Sequence, residues 1–305
     1  YILTGVINNM QEQEIEHIFS KISTVRLDTY KKHFNLENPK DIYTAYCWGE
    51  SVSSSLFKII STIEVVLRNS IHNSLQSALG KKWMIDENKV RLTDHQKDKM
   101  REILYVKKNG KITSSRVDPT PSENVIIAKL SFGFWAHFLD IKLLDGKTWD
   151  IYLPDIFDSY IYSGRYKGRQ FWTNKSNIYY VKDVLRDINE IRNRIAHHEP
   201  IWKKSYLGYK PKNISDNLDN TVEMILGVLR WLSEGFYQQF LSSYHYEYLK
   251  YLINNTPKKD FSYHNGFTAV DIEIFKESIS TDMSVIDKNH ILLSGNERLG
   301  YFVKF

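Results

Sequence analysis

Between Val52 and Leu75 an apolar residue returns every three or four positions: Val52, Leu56, Ile59, Ile63, Val66 with Leu67 beside it, Ile71 and Leu75. A strand, with its period of two, would turn about half of these side chains into water. The 3.6-residue period of an α-helix gathers them into one stripe, and Gly80 supplies the C-terminal stop. The same period recurs elsewhere. Gln11 to Phe34 carries Ile15, Ile18, Phe19, Ile22 and Leu27, with Ser23 to Leu27 as a candidate break. Ser122 opens an apolar helix running to about Leu139, and Ser176 or Asn177 caps one reaching His197, where Pro200 forbids easy continuation. Asn217 to about Leu252 reads as one long helix through Val222, Ile225, Leu226, Leu229, Leu232 and Phe236.

Between these helices the chain is polar. Asn35 to Lys40 reads as a loop with Pro39 as its breaker. Lys81 to Pro121 holds a short helix from Asp94 to Tyr105, then a turn at Lys107 to Lys111 and a flexible excursion through Pro119 and Pro121. Pro154 and Gly164 to Gly168 mark irregular chain. After Pro257 the character changes, and His290 to Leu293, the turn Ser294 to Glu297, and Tyr301 to Val303 read as a small hairpin. The fold class is therefore mainly α, a helical domain over residues 1–252 with a compact, hairpin-bearing appendage over 253–305.

A hydrophobic fraction of 42% is ample for a packed core and argues against wholesale disorder. The 20 tyrosines and 7 tryptophans serve such a core, or leave rings exposed on which unpaired bases could stack. The single cysteine, Cys47, cannot form an internal disulfide or a thiolate metal cluster, which fits a reducing cytoplasm. No signal-peptide pattern opens the numbered chain, and Tyr1 in place of a methionine implies that a few residues precede it. The most apolar long stretch, Val125 to Leu144, is interrupted by Lys129, His137, Asp140 and Lys142, too much charge for a spanning helix. No glycine-rich phosphate loop is present, and no cofactor is expected.

Charge is unevenly placed. Between Arg165 and Lys212 twelve Lys or Arg face four acids, a local net of +8 in a chain whose total is +5. The concentration predicts an anionic partner, nucleic acid first, with Arg165, Lys167, Arg169, Lys203 and Lys204 as candidate phosphate contacts; a solvated basic face without a partner is the plainer alternative.

Within that segment lies Asp187-Ile188-Asn189-Glu190-Ile191-Arg192-Asn193-Arg194-Ile195-Ala196-His197-His198-Glu199-Pro200. An arginine five positions before a histidine is a weak signal by itself. The helical wheel adds to it. Val181, Leu185, Ile188 and Ile195 form one stripe, and Arg192 falls on it, so its charge needs a partner. Glu190 and Arg194, at i and i+4, read as an ordinary surface pair. Asn193 and His197 share a face, whereas Arg192 and His197 diverge by about 140° on an ideal helix. One copy would struggle to aim both at one phosphate; two copies across a symmetric interface could, which predicts a homodimer. Cleavage of RNA can use the 2′-hydroxyl as nucleophile and needs no metal, only a proton carrier such as His197 and a charge clamp such as Arg192, with Asn193 orienting either. Two other readings stay open here: His197 and His198 as mere cationic closers of a helix C-terminus, and a His-His-Glu metal site, which lacks the spacing of known zinc motifs.

Four segments carry a resemblance to a family. Ile191 to Trp202 closely resembles the signature of Abi-like proteins, the AbiD/AbiF branch of the HEPN superfamily. In the same order, Ser23 to Tyr30 resembles the family's Ser…Arg-Leu…Tyr helix, Ile63 to Ile71 its Glu-x-x-Leu-Arg-Asn helix, and Leu130 to Trp135 its Leu-Ser-Phe-Gly-Phe-Trp element. The resemblance implies a HEPN-type helical bundle, face-to-face or homodimeric, acting as a metal-independent endoribonuclease in phage defence or toxin–antitoxin systems. It makes Arg192, Asn193 and His197 catalytic, Glu64 and Arg68 supports of the site, and His198 a second proton carrier. Some members are reported to be held by a small non-coding RNA, so RNA is expected both as substrate and as regulator. The alternative is a non-catalytic RNA-binding scaffold of the same fold.

Overall fold

The computed structural model describes residues 12–160 and 169–257, and the backbone of three strands beyond them. In chain order the helices are α1 (Glu12–Ile22), α2 (Thr24–Phe34), α3 (Pro39–Leu79), α4 (Asp94–Leu104), α5 (Glu123–Lys129), α6 (Phe132–Ala136), α7 (Leu153–Ile156), α8 (Arg169–Trp172), α9 (Lys175–Ala196), α10 (Ile214–Leu232), α11 (Glu234–Leu241) and α12 (Tyr244–Asn254). The strands are β1 (Val90–Arg91), β2 (Tyr105–Lys108), β3 (Lys111–Arg116), β4 (Lys142–Leu143), β5 (Phe267–Asp271), β6 (His290–Gly295) and β7 (Arg298–Val303). The chain is mainly helical with minor sheet, as its periodicity predicts.

Serines and one proline set several boundaries, the first where a break is expected and the others differently from expectation. Ser23, at φ 91°, separates α1 from α2. Pro39 starts α3 rather than breaking the chain: Asn38 caps the helix, its Oδ1 accepting the Lys40 N–H at 2.8 Å, and proline's missing N–H costs nothing in the first turn. Ser131, extended at ψ 162°, divides the apolar segment after Ser122 into α5 and α6. The long helix expected from Asn217 to Leu252 is three helices. The Ser233 hydroxyl accepts the Phe236 N–H at the start of α11, and Ser243, at ψ 151°, precedes α12. The excursion after α4 is a β-hairpin, β2–β3, turning on Asn109 and Gly110, both at positive φ as a tight hairpin turn requires.

The chain divides into two compact units. One comprises Tyr1–Ser55, Asn213–Leu218 and Phe240–Phe305. Here Ile15 packs on Tyr43, with Ile18, Phe19, Ile22, Tyr46 and Cys47 around them. The buried Trp48 indole donates to the Leu252 carbonyl at 2.8 Å and meets Phe34 edge-on. Burial pushes the Cys47 thiol up to about 11, so this cysteine is a packing residue. The predicted hairpin is present as antiparallel β6–β7, with β5 added parallel to β6.

The other unit comprises Leu56–Lys212 and Asp219–Gln239. The α3 stripe is buried as predicted, except that it passes through Leu67, fully buried, while Val66 is half-exposed. Helix α9 is held from three sides. At its start Asn174, not Ser176, is the cap, accepting the Ser176 N–H at 3.0 Å. In its middle α6 packs against it: Phe132, Phe134 and Trp135 are fully buried, and a Cβ on Gly133 would stand 3.5 Å from Asn189 Oδ1. Beside that contact Asp140 receives Lys182, Arg186 Nη2 at 3.5 Å and His137 Nδ1 at 3.2 Å.

Candidate functional site

The C-terminal half of α9 and the turn after it carry Arg192, Asn193, His197 and His198. The buried face of α9 runs through Val181, Val184, Leu185, Ile188 and Ile191. Ile195, expected on that stripe, is half-exposed, because the stripe drifts to Ile191. Arg192 therefore stands on the flank of the buried face, half-buried, where it can keep its charge and still meet a partner.

That partner is on α3. Burial pushes the Glu64 carboxyl above its ordinary range, and the guanidinium of Arg192 and then that of Arg68 pull it back. Glu64, Arg68 and Arg192 thus form one electrostatic cluster between two helices, one carboxylate to two cations. The Nε atoms of Arg68 and Arg192 are buried without an acceptor among the described residues. Of the sequence-predicted groups, these three are brought together.

Asn193, His197 and His198 lie on the other side and are exposed. His197 ends the helix in the bridge region, at φ −94° and ψ 6°. His198 is left-handed at φ 54°. Its N–H bonds to the Ile195 carbonyl at 3.0 Å, and the Glu199 N–H reaches back to the Arg194 carbonyl at 2.8 Å. This is a Schellman closure with histidine in the position usually held by glycine.

One expectation is corrected here. Arg194 does not pair with Glu190. Its Nη1 lies 3.4 Å from Glu199 and its Nη2 donates to the Pro200 carbonyl at 3.1 Å. Glu190 instead takes Lys204. The cause is the chain reversal at His198, which lays residues 199–207 back along α9. Ile201, Trp202 and Tyr206 are buried, and the Asp187 carboxylate accepts the Leu207 N–H at 2.9 Å. Lys204, a candidate phosphate contact, has its charge turned toward Glu190 and the Tyr206 ring, 5.5 Å away. Lys203 is exposed. Arg165, Lys167 and the side chain of Arg169 lie outside the described residues.

Sequence reasoning missed the supports. Arg194, Glu190, Asp187 and Tyr206 acquire roles only when the chain reverses, and Asp140 only when α6 reaches α9. A cleft of about 510 Å³ lies farther up α9, lined by Tyr180, Asp183, Arg186, Asp187, Leu207 and Gly208, and contains none of the predicted site residues. Tyr179 and Tyr180 are exposed beside it, at 59% and 47%. Among the described residues no three His, Cys, Asp or Glu side chains converge as a metal-ligand group, and no helix is long and apolar enough to cross a membrane.

No curated protein and no solved structure matches the chain. The sequence model of the Abi-like proteins matches residues 17–203, more than half of the length, from α1 through the turn that bears His197 and His198. With that span covering the Glu64–Arg68 helix, the Gly133 contact and the whole of α9, the chain belongs to the Abi-like protein family.

Proposed function

We propose that this protein is a metal-independent endoribonuclease of the HEPN superfamily, acting in bacterial abortive infection, with Arg192, Asn193 and His197 as its reactive groups. Membership of the Abi-like family suggests the abortive-infection role. The chemistry rests chiefly on one observation: the last turn of α9 and its C-cap carry a half-buried guanidinium on one side and an exposed imidazole on the other. Arg192 is half-buried at the flank of the core, within electrostatic reach of the Glu64 carboxyl, while His197 is exposed at the helix end.

In this reading His197 takes the proton from a ribose 2′-hydroxyl. The 2′-oxygen then bonds to phosphorus, the bond from phosphorus to the 5′-oxygen breaks, and a second histidine protonates that oxygen. The products are a 2′,3′-cyclic phosphate and a 5′-hydroxyl. Arg192 stabilises charge on the non-bridging oxygens, and Asn193 orients the imidazole or the phosphate. The divergence of Arg192 from His197 favours a site completed by a second copy. Phe57 and Val65, exposed at 41% and 44% on the side of α3 that carries Glu64 and Arg68, would be covered by such a copy.

Purified protein is expected to cut RNA in the presence of chelator. Arg192→Ala and His197→Ala should each lose about a hundredfold or more in rate while keeping native circular dichroism. If wild-type protein leaves RNA uncut yet binds it, with His197→Ala binding equally well, the protein is an RNA-binding scaffold instead. Loss of cleavage on chelation would indicate metal-assisted hydrolysis.

A further inference from the structure

Resting on the proposed role of His197, we infer that Arg194 is a positioning residue that locks the turn carrying His197 and His198. One residue joins that turn to the helix twice. Its backbone carbonyl accepts the Glu199 N–H at 2.8 Å, and its guanidinium reaches Glu199 and the Pro200 carbonyl across the same reversal. The lock is inserted into the structure: the Arg194 side chain is 21% exposed and its Nε is buried. Its inner neighbour is Tyr206, itself buried, whose phenol burial pushes upward while the Arg194 charge pulls it back.

The turn needs a lock because it is strained. His198 is left-handed without glycine's freedom, a conformation that persists only where its surroundings over-determine it. Without the fork at Arg194, the backbone from Ala196 to Glu199 could relax toward right-handed or extended geometry. The His197 imidazole, inside that segment, would lose its fixed direction. A fork gripping two acceptors at once suits arginine. Lysine, a point donor on a flexible stem, can hold Glu199 or Pro200 but not both in one geometry.

The test uses the full chain as wild type, Arg194→Ala, Arg194→Lys and His197→Ala. Three readouts are compared: single-turnover cleavage of a labelled RNA, its binding under non-turnover conditions, and NMR signals of the His197 ring with hydrogen exchange of the His198 and Glu199 amides. Arg194→Ala should slow cleavage about tenfold to a hundredfold, the scale expected when a reacting group is misplaced by about 1 Å, with little change in binding. Arg194→Lys should fall between, and in both variants the ring signals should shift and the two amides exchange faster. Cleavage and ring signals unchanged in both variants would overturn the inference, as would a rate loss matching only the loss of folded protein. If no form cuts RNA, the ribonuclease reading fails separately, and the ring signals and amide exchange still decide whether Arg194 locks the turn. Should Arg194→Ala fail to fold, Arg194→Lys carries the comparison.

Discussion

At position 198 glycine should make a more stable protein than alanine, the reverse of the usual ranking, because the turn there is left-handed. At φ 54° a side chain bearing a Cβ pays roughly 1–2 kcal/mol for the left-handed conformation. Glycine pays no such cost but gains freedom in the unfolded chain, which returns about 0.4–1 kcal/mol. The net is about 0.5–1 kcal/mol in favour of glycine over alanine, or a Tm roughly 1–2 °C higher for a chain of this size. His198→Ala is the necessary comparison. Both variants lose the imidazole, and they differ only in the methyl group that makes the conformation costly. Urea midpoints at one pH, read by circular dichroism, would give the difference directly. His198→Gly equal to or less stable than His198→Ala would refute the claim that the turn is strained at this residue. The same pair bears on chemistry. If His198 is the second proton carrier, both variants lose cleavage alike, whatever their stabilities.

Two carboxylates should respond to pH with opposite signs. The folded value of Glu64 is raised, so the stability linked to its protonated form is complete below the ordinary glutamate value near 4.5 and declines as pH climbs through the raised one. Melting curves from pH 4 to 7 should show wild type losing ground to Glu64→Gln, and the reverse trend would mean that the arginines outweigh burial. Asp140 is lowered: burial acts to raise it, but Lys182, His137 and Arg186 prevail. Its contribution is present above the ordinary aspartate value and vanishes as pH falls through the lowered one, so Asp140→Asn should cost stability at neutral pH and little in acid. Two helical glycines should likewise part company. Gly227→Ala meets nothing within 4 Å and should gain about 0.5–1 kcal/mol from helix propensity. Gly49→Ala would press a methyl onto the buried Tyr30 ring, its Cε1 at 2.9 Å, and should lose about 1–2 kcal/mol overall, with denaturant midpoints as the check for both.

Periodicity made the helices legible because burial imposes it. The stripe from Leu56 to Leu75 is buried as written, and the exchange of Val66 for Leu67 is the drift expected of a 3.6-residue repeat. The breaks were harder to read. Ser233 and Ser243 are tolerated inside helices, and only the Ser233 hydroxyl bond to the Phe236 N–H and the extended backbone of Ser243 separate α10, α11 and α12. The hairpin at Asn109-Gly110 carried a strong turn signal, but its strands are too polar to announce themselves. At the candidate site the wheel identified the side of α9 that Arg192 occupies; it could not say that Glu64 would be opposite, which the family resemblance supplied. The wheel also misassigned Arg194. Pairing at i and i+4 assumes that nothing else competes, and here the reversed chain brings Glu199 and Pro200 to Arg194 and Lys204 to Glu190.

The divergence of Arg192 and His197 around α9 can be turned into a decisive measurement of the proposed composite site. Suppose that each reactive centre takes its guanidinium from one copy and its imidazole from the other. Arg192→Ala alone and His197→Ala alone then leave no complete centre. A mixed dimer has one centre lacking both groups and one intact. Equal amounts of the two variants, unfolded together and refolded, should form mixed dimers as about half of the population, each with one of two centres, and recover about a quarter of wild-type activity. If both groups come from the same copy, every centre in the mixture lacks one of them, and no activity returns. Recovery of that order would also tie the exposed Phe57 and Val65 to the dimer, since Val65→Asp should then abolish recovery and cleavage together while leaving the monomer folded. Absence of recovery, in a mixture shown by mass to contain mixed dimers, would mean that the 140° separation on the helix is bridged within one copy.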